Sequence, residues 1–440
     1  MSATGTNATL SAALALTGAP NDYDALVDRV GDARCVLIGE ASHGTHEFYV
    51  ERARMTRRLI EEAGFNAIAV EADWPAAYRL NCFVRRTGKD RTAADALGGF
   101  LRFPRWMWRN QVVEAFAVWL RSHNERAINP VGFYGLDLYS LHESVDLVLR
   151  YLEKVDPETA KRARQRYACF DNRHGDDGQG YGAAVIDGRE ESCERGVMEQ
   201  LLELRQRQAE YSSADTRLPE DANFFAIQNA RLVANAERYY RTMFRGGPDS
   251  WNLRDRHMAE TLETLLEHLD QPHLPAKAVV WAHNSHVGDA RHTEMGHRYG
   301  QLTLGQLARE RYERDAFLVG LTTYEGTVTA ASDWGAPALV KRVVSGREDA
   351  YEGELHDAGL RRDLLLFETG LEVDRRRLER AIGVIYRPES ERQSHYFEAE
   401  MARQFDAVIH LDRTQALWPL DRDPGWVPEG EAPETYPFGL

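Results

Sequence analysis

Few of the signatures that announce an enzyme class are present in this sequence. Its four cysteines, Cys35, Cys82, Cys169 and Cys193, form no CxxC pair, which argues against a zinc knuckle, and no disulfide framework is expected of them. That usage favours a reducing compartment, and so a cytoplasmic location. Cys35 falls in an apolar run and reads as a small buried hydrophobe. No apolar run reaches the roughly 18 residues that a membrane span needs. The Ala-rich stretch Leu10 to Leu16 has no basic residue before it, unlike a secretory signal. No GxSxG elbow is there to present a serine, and neither GxGxxG nor GxxxxGK(S/T) is there to cradle phosphate. Lysine is scarce, at five of the 54 basic residues, which reads as coding bias more than function. The net charge of −15 gives an acidic surface that disfavours nucleic acid and anionic membrane as partners.

What remains is a globular α/β pattern. With 440 residues and 43% apolar content the chain can bury a sizeable core, and two or three lobes are expected. The stretch Val36 to Glu47 is the most informative. A short apolar run ends at Gly39; Glu40, His43 and Gly44 follow, and a helical pattern then begins. In a parallel α/β protein this is the carboxyl end of a strand and its turn into a helix, where ligand crevices form. Gly39 and Gly44 read as backbone requirements of that turn.

Along the chain, Asp24–Val30 reads as a helix and Arg34–Gly39 as the first strand. Thr45 is an N-cap for a helix over His46–Ala63, ended by Gly64. Its inward stripe is Phe48, Met55 and Leu59. Arg52 lies on that stripe, so it needs a carboxylate partner, Glu40 or Glu71. Strands are expected at Asn66–Val70, with Glu71 at the end, and at Val131–Leu136, with Asp137 just beyond. Helices fall between them near 76–85 and up to Ser122. From His142 to about Asp270 helical segments near 142–153, 157–168, 190–213, 220–244 and 251–269 form an inserted lobe, with a loop over Asn172–Gly182. The sheet pattern resumes at Ala278–Ala282, leading into His283 and His286. It continues at Ala316–Leu321, Gly326–Ala330, Leu364–Phe367, Ile382–Tyr386 and Ala407–Leu411, with helices near 303–313, 336–344, 376–380 and 393–404. There is no internal repeat. The expectation is a parallel or mixed sheet with helices on both faces plus a helical lobe: 20–140 and 275–415 as core, 141–274 as lobe, 416–440 as a tail on the surface.

Glu40 with His43, Glu71, Asp137, and His283 with His286 all sit at or just past predicted strand ends, which share one rim of an open sheet. His43 is suited to take a proton from water near neutral pH. Glu71 or Glu40 can hold its tautomer, Arg52 can orient a carboxylate or stabilise an oxyanion, and His283 can donate to a leaving group. His46 would face solvent. Ser42 is a conceivable nucleophile, but as His43's neighbour in a turn it reaches a common target poorly, so water is preferred. Trp106 and Trp108 are packing aromatics or substrate platforms. Asp255, on a stripe with Trp251, Met258 and Leu262, reads as half of a structural ion pair. The same His and carboxylate types suit zinc or manganese, although no metal spacing is matched and Arg52 would repel a cation.

Taken in order, Gly39-Glu40-x-x-His43-Gly44, Arg52, Glu71 before Trp74, Phe103-Pro104-x-Trp106-Met107-Trp108, Gly135-x-Asp137, Trp251-Asn252-x-Arg254-Asp255-x-x-Met258-Ala259-Glu260 and Trp281-Ala282-His283-Asn284-x-His286 resemble the erythromycin esterase family. The resemblance runs from about residue 20 to 415. It implies an α/β core with a helical lobe, and hydrolysis of a macrolide lactone by a histidine-activated water without a covalent intermediate. The base would be His43 and its site partners Glu40, Arg52, Glu71 and His283; Trp106, Asp137 and His286 are placed in substrate binding. No cofactor and no metal is expected, and the partner is a small molecule. A metal-dependent hydrolase, a non-macrolide esterase and a binding protein on the same fold remain alternatives, and the sequence is silent on oligomeric state.

Overall fold

The computed structural model describes residues 13–170, 178–214, 221–367, 376–423 and 425–426. The chain divides into two compact units. One takes in Met1–Ala69, Arg79–Phe133 and Ala276–Leu440, the other Val70–Tyr78 and Tyr134–Pro275.

The first unit is built on the sheet. Its strands are β1 (Leu14–Ala15), β2 (Cys35–Ile38), β3 (Ala67–Asp73), β4 (Gly132–Asp137), β5 (Ala278–Trp281), β6 (Ala316–Ala330), β7 (Leu339–Val343), β8 (Arg362–Leu366), β9 (Arg377–Arg380), β10 (Tyr396–Ala399) and β11 (Ala407–Thr414). Strands β3 and β4 begin in this unit and end in the other. The sheet order is β1-β8-β11-β6-β2-β5-β3-β4, with β7 on β6 and β9 paired with β10 apart. The centre is parallel: β11 with β6, β6 with β2, β2 with β5. Every residue of β2 and of β5 is buried. Buried parallel strands are covered on both faces, which is why they are apolar throughout and do not alternate. The helix His46–Ala63 has the expected limits, with Phe48, Arg52, Met55 and Leu59 buried and Gly64 in the left-handed region at φ 73°. Without a Cβ, Gly64 adopts that conformation at no steric cost.

Several expectations in the last third fail. Residues 339–343, expected to be helical, form β7, antiparallel to the far half of β6. That half is the reason: β6 does not stop at Leu321 but runs through fifteen residues, and its open ladder is paired by a segment rich in β-branched valine. Residues 377–380, expected to be helical, form β9, paired with β10 where the middle of a helix at 393–404 was expected. Ile382–Tyr386 is no ladder strand: it makes single bridges, Ser42 with Ile382 and Ala331 with Ile385. Ile382 and Tyr386 are instead drawn into an apolar cluster with Val328, Ala330 and Val343. The start of the tail is not a surface wrap either. Leu417 and Trp426 are buried, and the Trp426 indole N–H donates to Thr329 Oγ1 at 3.0 Å.

The second unit is helical: Leu141–Val155, Pro157–Tyr167, Gln179–Ile186, Glu194–Gln206, Gln208–Ala214, Ala222–Met243 and Asp249–Leu269. Asp156 starts the second of these by accepting from Thr159 N at 3.1 Å, with Pro157 in the first turn, where its missing N–H costs nothing. Ala222–Met243 is buried on most of its faces, the mark of a central helix. The loop expected over Asn172–Gly182 lies partly outside the described residues, and from Gln179 it is helical. Gly182 permits this, because a Cβ there would sit 2.1 Å from Tyr240 O. Cys169 and Cys193 are joined in a disulfide. This bond was not expected from the cysteine spacing and removes the cysteine argument for a reducing compartment; Cys35 and Cys82 are free.

Candidate active site

The register of the central strands assembles the first part of the site. Strands β2 and β5 pair in parallel with Ile38 opposite Trp281, so the residues following each strand emerge side by side. Asn284 N donates to Glu40 O at 2.9 Å, and Gly39 N donates to Val319 O on β6 at 2.7 Å. The two glycines are required by crowding, and neither has a positive φ. A Cβ on Gly39 would lie 2.0 Å from Asn284 Oδ1, and one on Gly44 would lie 1.8 Å from Thr329 O. Gly44 O accepts from Thr329 N at 2.9 Å and from Leu417 N at 2.8 Å, which pins the far end of the turn.

Within this frame the side chains form a directed chain of contacts. His43 Nδ1 lies 2.8 Å from Glu40 Oε1. The other carboxylate oxygen is 2.9 Å from Arg52 Nη1, an ion pair rather than an aligned hydrogen bond. Arg52 donates from Nε to Gly39 O at 3.1 Å and from Nη2 to Ala282 O at 2.6 Å. It also lies 5.4 Å from the centre of the Tyr49 ring and 5.9 Å from that of Trp281. Glu40 and Arg52 are each 1% exposed and His43 is 7% exposed. A buried carboxylate bracketed by a guanidinium accepts, so His43 donates from Nδ1, and its Nε2 is the nitrogen left with a lone pair. The arginine expected to need a carboxylate has Glu40. Its five engagements hold the guanidinium against that carboxylate and leave it poorly placed to reach an oxyanion.

His283 stands beside His43, with ring centres 4.8 Å apart. Its Nδ1 accepts from Ser285 N at 3.2 Å and lies 2.8 Å from Ser285 Oγ, and its Nε2 is 3.2 Å from Ile382 O. The same carbonyl accepts from His43 N at 3.3 Å. His286 is buried in the short helix Asn284–Val287. Ser42 is buried and its hydroxyl bonds Thr45 Oγ1. That engagement favours water over Ser42 as nucleophile, and it leaves the N-cap position of Thr45 without a side-chain cap. His46 is half-buried rather than exposed as expected. Trp106 and Trp108 are buried, Trp108 against Phe100 and Phe133. The Trp106 Nε1 has no hydrogen-bond partner among the described residues.

Glu71 and Asp137 belong to the second unit, at the ends of β3 and β4. Both are bound by one arginine. Arg254, on the helix Asp249–Leu269, donates from Nη2 to Glu71 Oε1 at 2.7 Å, from Nε to Asp137 Oδ1 at 3.0 Å and from Nη2 to Asp137 Oδ2 at 2.6 Å. Burial opposes its charge, but Asp137, Tyr139 and Glu71 outweigh that and hold the guanidinium protonated well beyond its usual range. Burial pushes the Tyr139 phenol well up. Burial, with Arg231, pushes His257 down to about 3, and its Nδ1 lies 2.8 Å from Asn235 Nδ2. Arg254 lies inside the Trp251–Glu260 motif, for which the sequence reading gives it no role. The signal was there: it sits three residues after Trp251 and four before Met258, on a half-buried helix face, as Arg52 does on its own helix. Asp255 is fully buried. The Ile382 carbonyl could not have been found, because a backbone acceptor has no residue-type signature.

Among the described residues no group of three or more His, Cys, Asp or Glu side chains is arranged to hold a metal ion. In the first unit Arg52 occupies the flank of Glu40 that a cation would need.

A model of the family described as erythromycin esterase matches residues 60–414. Among curated proteins the chain is 22% identical over 419 residues to the erythromycin esterase type II of Escherichia coli, covering 90% of this chain and 93% of that protein. Among solved structures it is similar to a succinoglycan biosynthesis protein, with a TM-score of 0.76, 20% identity, and 95% and 99% of the two chains covered. It is also similar to a mutant of the erythromycin esterase EreC in its open conformation, with a TM-score of 0.68, 20% identity, and 90% and 94% covered.

Proposed function

Because the chain belongs to the erythromycin esterase family, we propose that it hydrolyses an ester or lactone with a water activated by His43, and that a macrolide ring is among its substrates. The observation that carries the reading is the buried series His43–Glu40–Arg52, in which the carboxylate lies 2.8 Å from Nδ1 and 2.9 Å from the guanidinium. Glu40 fixes the tautomer with a bare Nε2 and offsets the positive charge the ring gains. His43 Nε2 takes a proton from water as the water oxygen bonds to the carbonyl carbon. The C–O bond to the leaving alkoxide then breaks, and the proton on Nε2 passes to that alkoxide, giving acid and alcohol. His286 and Trp106 are assigned to holding substrate, on their motif positions, while Glu71 and Asp137 stay candidates, the first as a partner in catalysis and the second in substrate binding, on their strand-end positions. The assignment needs no metal, no nucleic acid and no membrane as partner; no helix among the described residues is long and apolar enough to cross a membrane.

The deciding experiment incubates the purified protein with erythromycin and a panel of lactones and simple esters, with mass spectrometry for the gain of one water. Opening of a macrolide is expected. No hydrated product from any lactone overturns the macrolide reading, and none from any ester overturns the hydrolase. Activity that vanishes with a chelator and returns with zinc or manganese would favour the metal-dependent reading instead.

A further inference from the structure

The second histidine is wired differently from the first. His43 spends one nitrogen on a carboxylate. His283 spends its Nδ1 as an acceptor, since a backbone N–H has no choice but to donate and Ser285 N aims at it from 3.2 Å. The Ser285 hydroxyl, 2.8 Å from the same nitrogen, is free to turn and donate as well. With Nδ1 accepting, the ring proton is on Nε2, which faces the Ile382 carbonyl at 3.2 Å, a group that can only accept. A second proton on Nδ1 could be accepted by the Ser285 hydroxyl, but it would set an N–H against the N–H of Ser285 and undo the N-cap of the helix Asn284–Val287. The ring is 4% exposed, so water cannot replace what is lost.

The Ile382 carbonyl is the shared point. It takes the His283 Nε2 proton and the backbone N–H of His43, while Ile382 N donates to Ala41 O at 2.7 Å. The segment leaving β9 is thereby bonded on both sides of the His43 turn, and His283 ties it to the end of β5.

Resting on the hydrolase reading above, we propose that His283 is a neutral positioning residue, with Ser285 selecting its tautomer, and that its Nε2–H holds the Ile382 carbonyl and through it the His43 turn. It does not donate the proton that leaves with the alcohol; that proton returns from His43 Nε2.

The test uses the full chain with nitrogen-15-labelled histidine, His283 being assigned by the signals lost in H283N. At neutral pH its ring should show a bare Nδ1 and a protonated Nε2. A ring protonated at Nδ1, or at both nitrogens, overturns the proposal whether or not any substrate is known. The hydrolase reading fails separately, through the absence of turnover. Two variants then separate positioning from proton donation. Glutamine places an amide N–H near the old Nε2, whereas asparagine keeps only the cap to Ser285. H283Q should therefore stay within about tenfold of the parent kcat, and H283N should lose about 100-fold with the Nδ1–H signal of His43 displaced. Equal losses in both variants, in the 10²–10⁴-fold range of a missing general acid, would overturn the positioning role. Melting curves show whether each variant is folded.

Discussion

Replacing Glu40 with glutamine is the sharpest probe of how the base is held. The substitution keeps size and shape but removes the charge between His43 and Arg52. Arg52 can only donate, and its Nη1 lies 2.9 Å from Oε2, so the amide of the variant must turn its oxygen toward the guanidinium. Its NH₂ then faces His43 Nδ1, which lies 2.8 Å from Oε1 in the parent. A donor facing Nδ1 selects the tautomer with the proton on Nε2, the atom that must accept from water. The base is then present and correctly placed but already occupied. The wrong-tautomer penalty in histidine–carboxylate catalysts is about 10⁴ in kcat, about 5.5 kcal/mol at 1.36 per tenfold. Binding is untouched, so KM should change little. Removing one partner of a buried ion pair costs about 3–5 kcal/mol. Over 440 residues, with an unfolding entropy of about 2.1 cal/mol/K per residue, that lowers the melting temperature by roughly 3–5 °C. The assay is steady-state hydrolysis of whichever lactone the parent opens fastest, with a melting curve on the same sample. E40Q retaining a tenth or more of the parent kcat while folded would refute the tautomer argument.

Further outcomes follow from other parts of the fold. G44A sets a Cβ 1.8 Å from Thr329 O, so backbone must move; a loss of at least about 1–3 kcal/mol should appear in denaturant unfolding, and parent-like stability would show that the turn can relax. The Cys169–Cys193 bond closes a sequence separation of 24, worth about 3 kcal/mol in chain entropy. Thiol titration of the denatured, unreduced chain should find Cys35 and Cys82 alone, and reduction should lower the unfolding temperature of the helical unit. Burial first, then the neighbouring Glu352 carboxylate, holds the Glu379 carboxyl well above its usual range. A raised carboxyl gives stability that is complete below its unfolded pKa of about 4.3 and drains away as pH rises through the folded value. E379Q should therefore raise the melting temperature more at pH 8 than at pH 5, and an equal change at both would refute the assignment.

Legibility in the sequence tracked how local the deciding physics is. The helix His46–Ala63 could be read to the residue, because its stripe and Gly64 are local signals. Arg52 announced a carboxylate partner because an unpaired charge inside a helix stripe is untenable, and only the choice between Glu40 and Glu71 needed the fold. The nearness of Glu40 and His283, more than two hundred residues apart, followed from both standing at strand ends. Features set by distant neighbours were illegible. Residues 339–343 carry no mark of strand beyond the two valines Val340 and Val343; they are one because β6 runs on past Leu321. The glycines of the turn were read as needing freedom of rotation, whereas Asn284 and Thr329 leave no room for a Cβ. Cys169 and Cys193 pair because helices unplaceable from sequence bring them together.

The two hydrogen bonds at the Gly44 carbonyl also set an order on biosynthesis. One donor, Thr329, and above all the other, Leu417, are made long after the histidine turn has left the ribosome. Strand β11, which runs into that segment, lies inside the sheet between β6 and β8. A nascent chain halted before residue 407 thus carries every candidate side chain, together with Thr329 and Ile382, yet lacks Leu417, the second donor to the Gly44 carbonyl, and the strand that leads into it. Partial translation products that end before Leu417 should be inert toward esters, and activity should appear only once β11 and Leu417 are both in place.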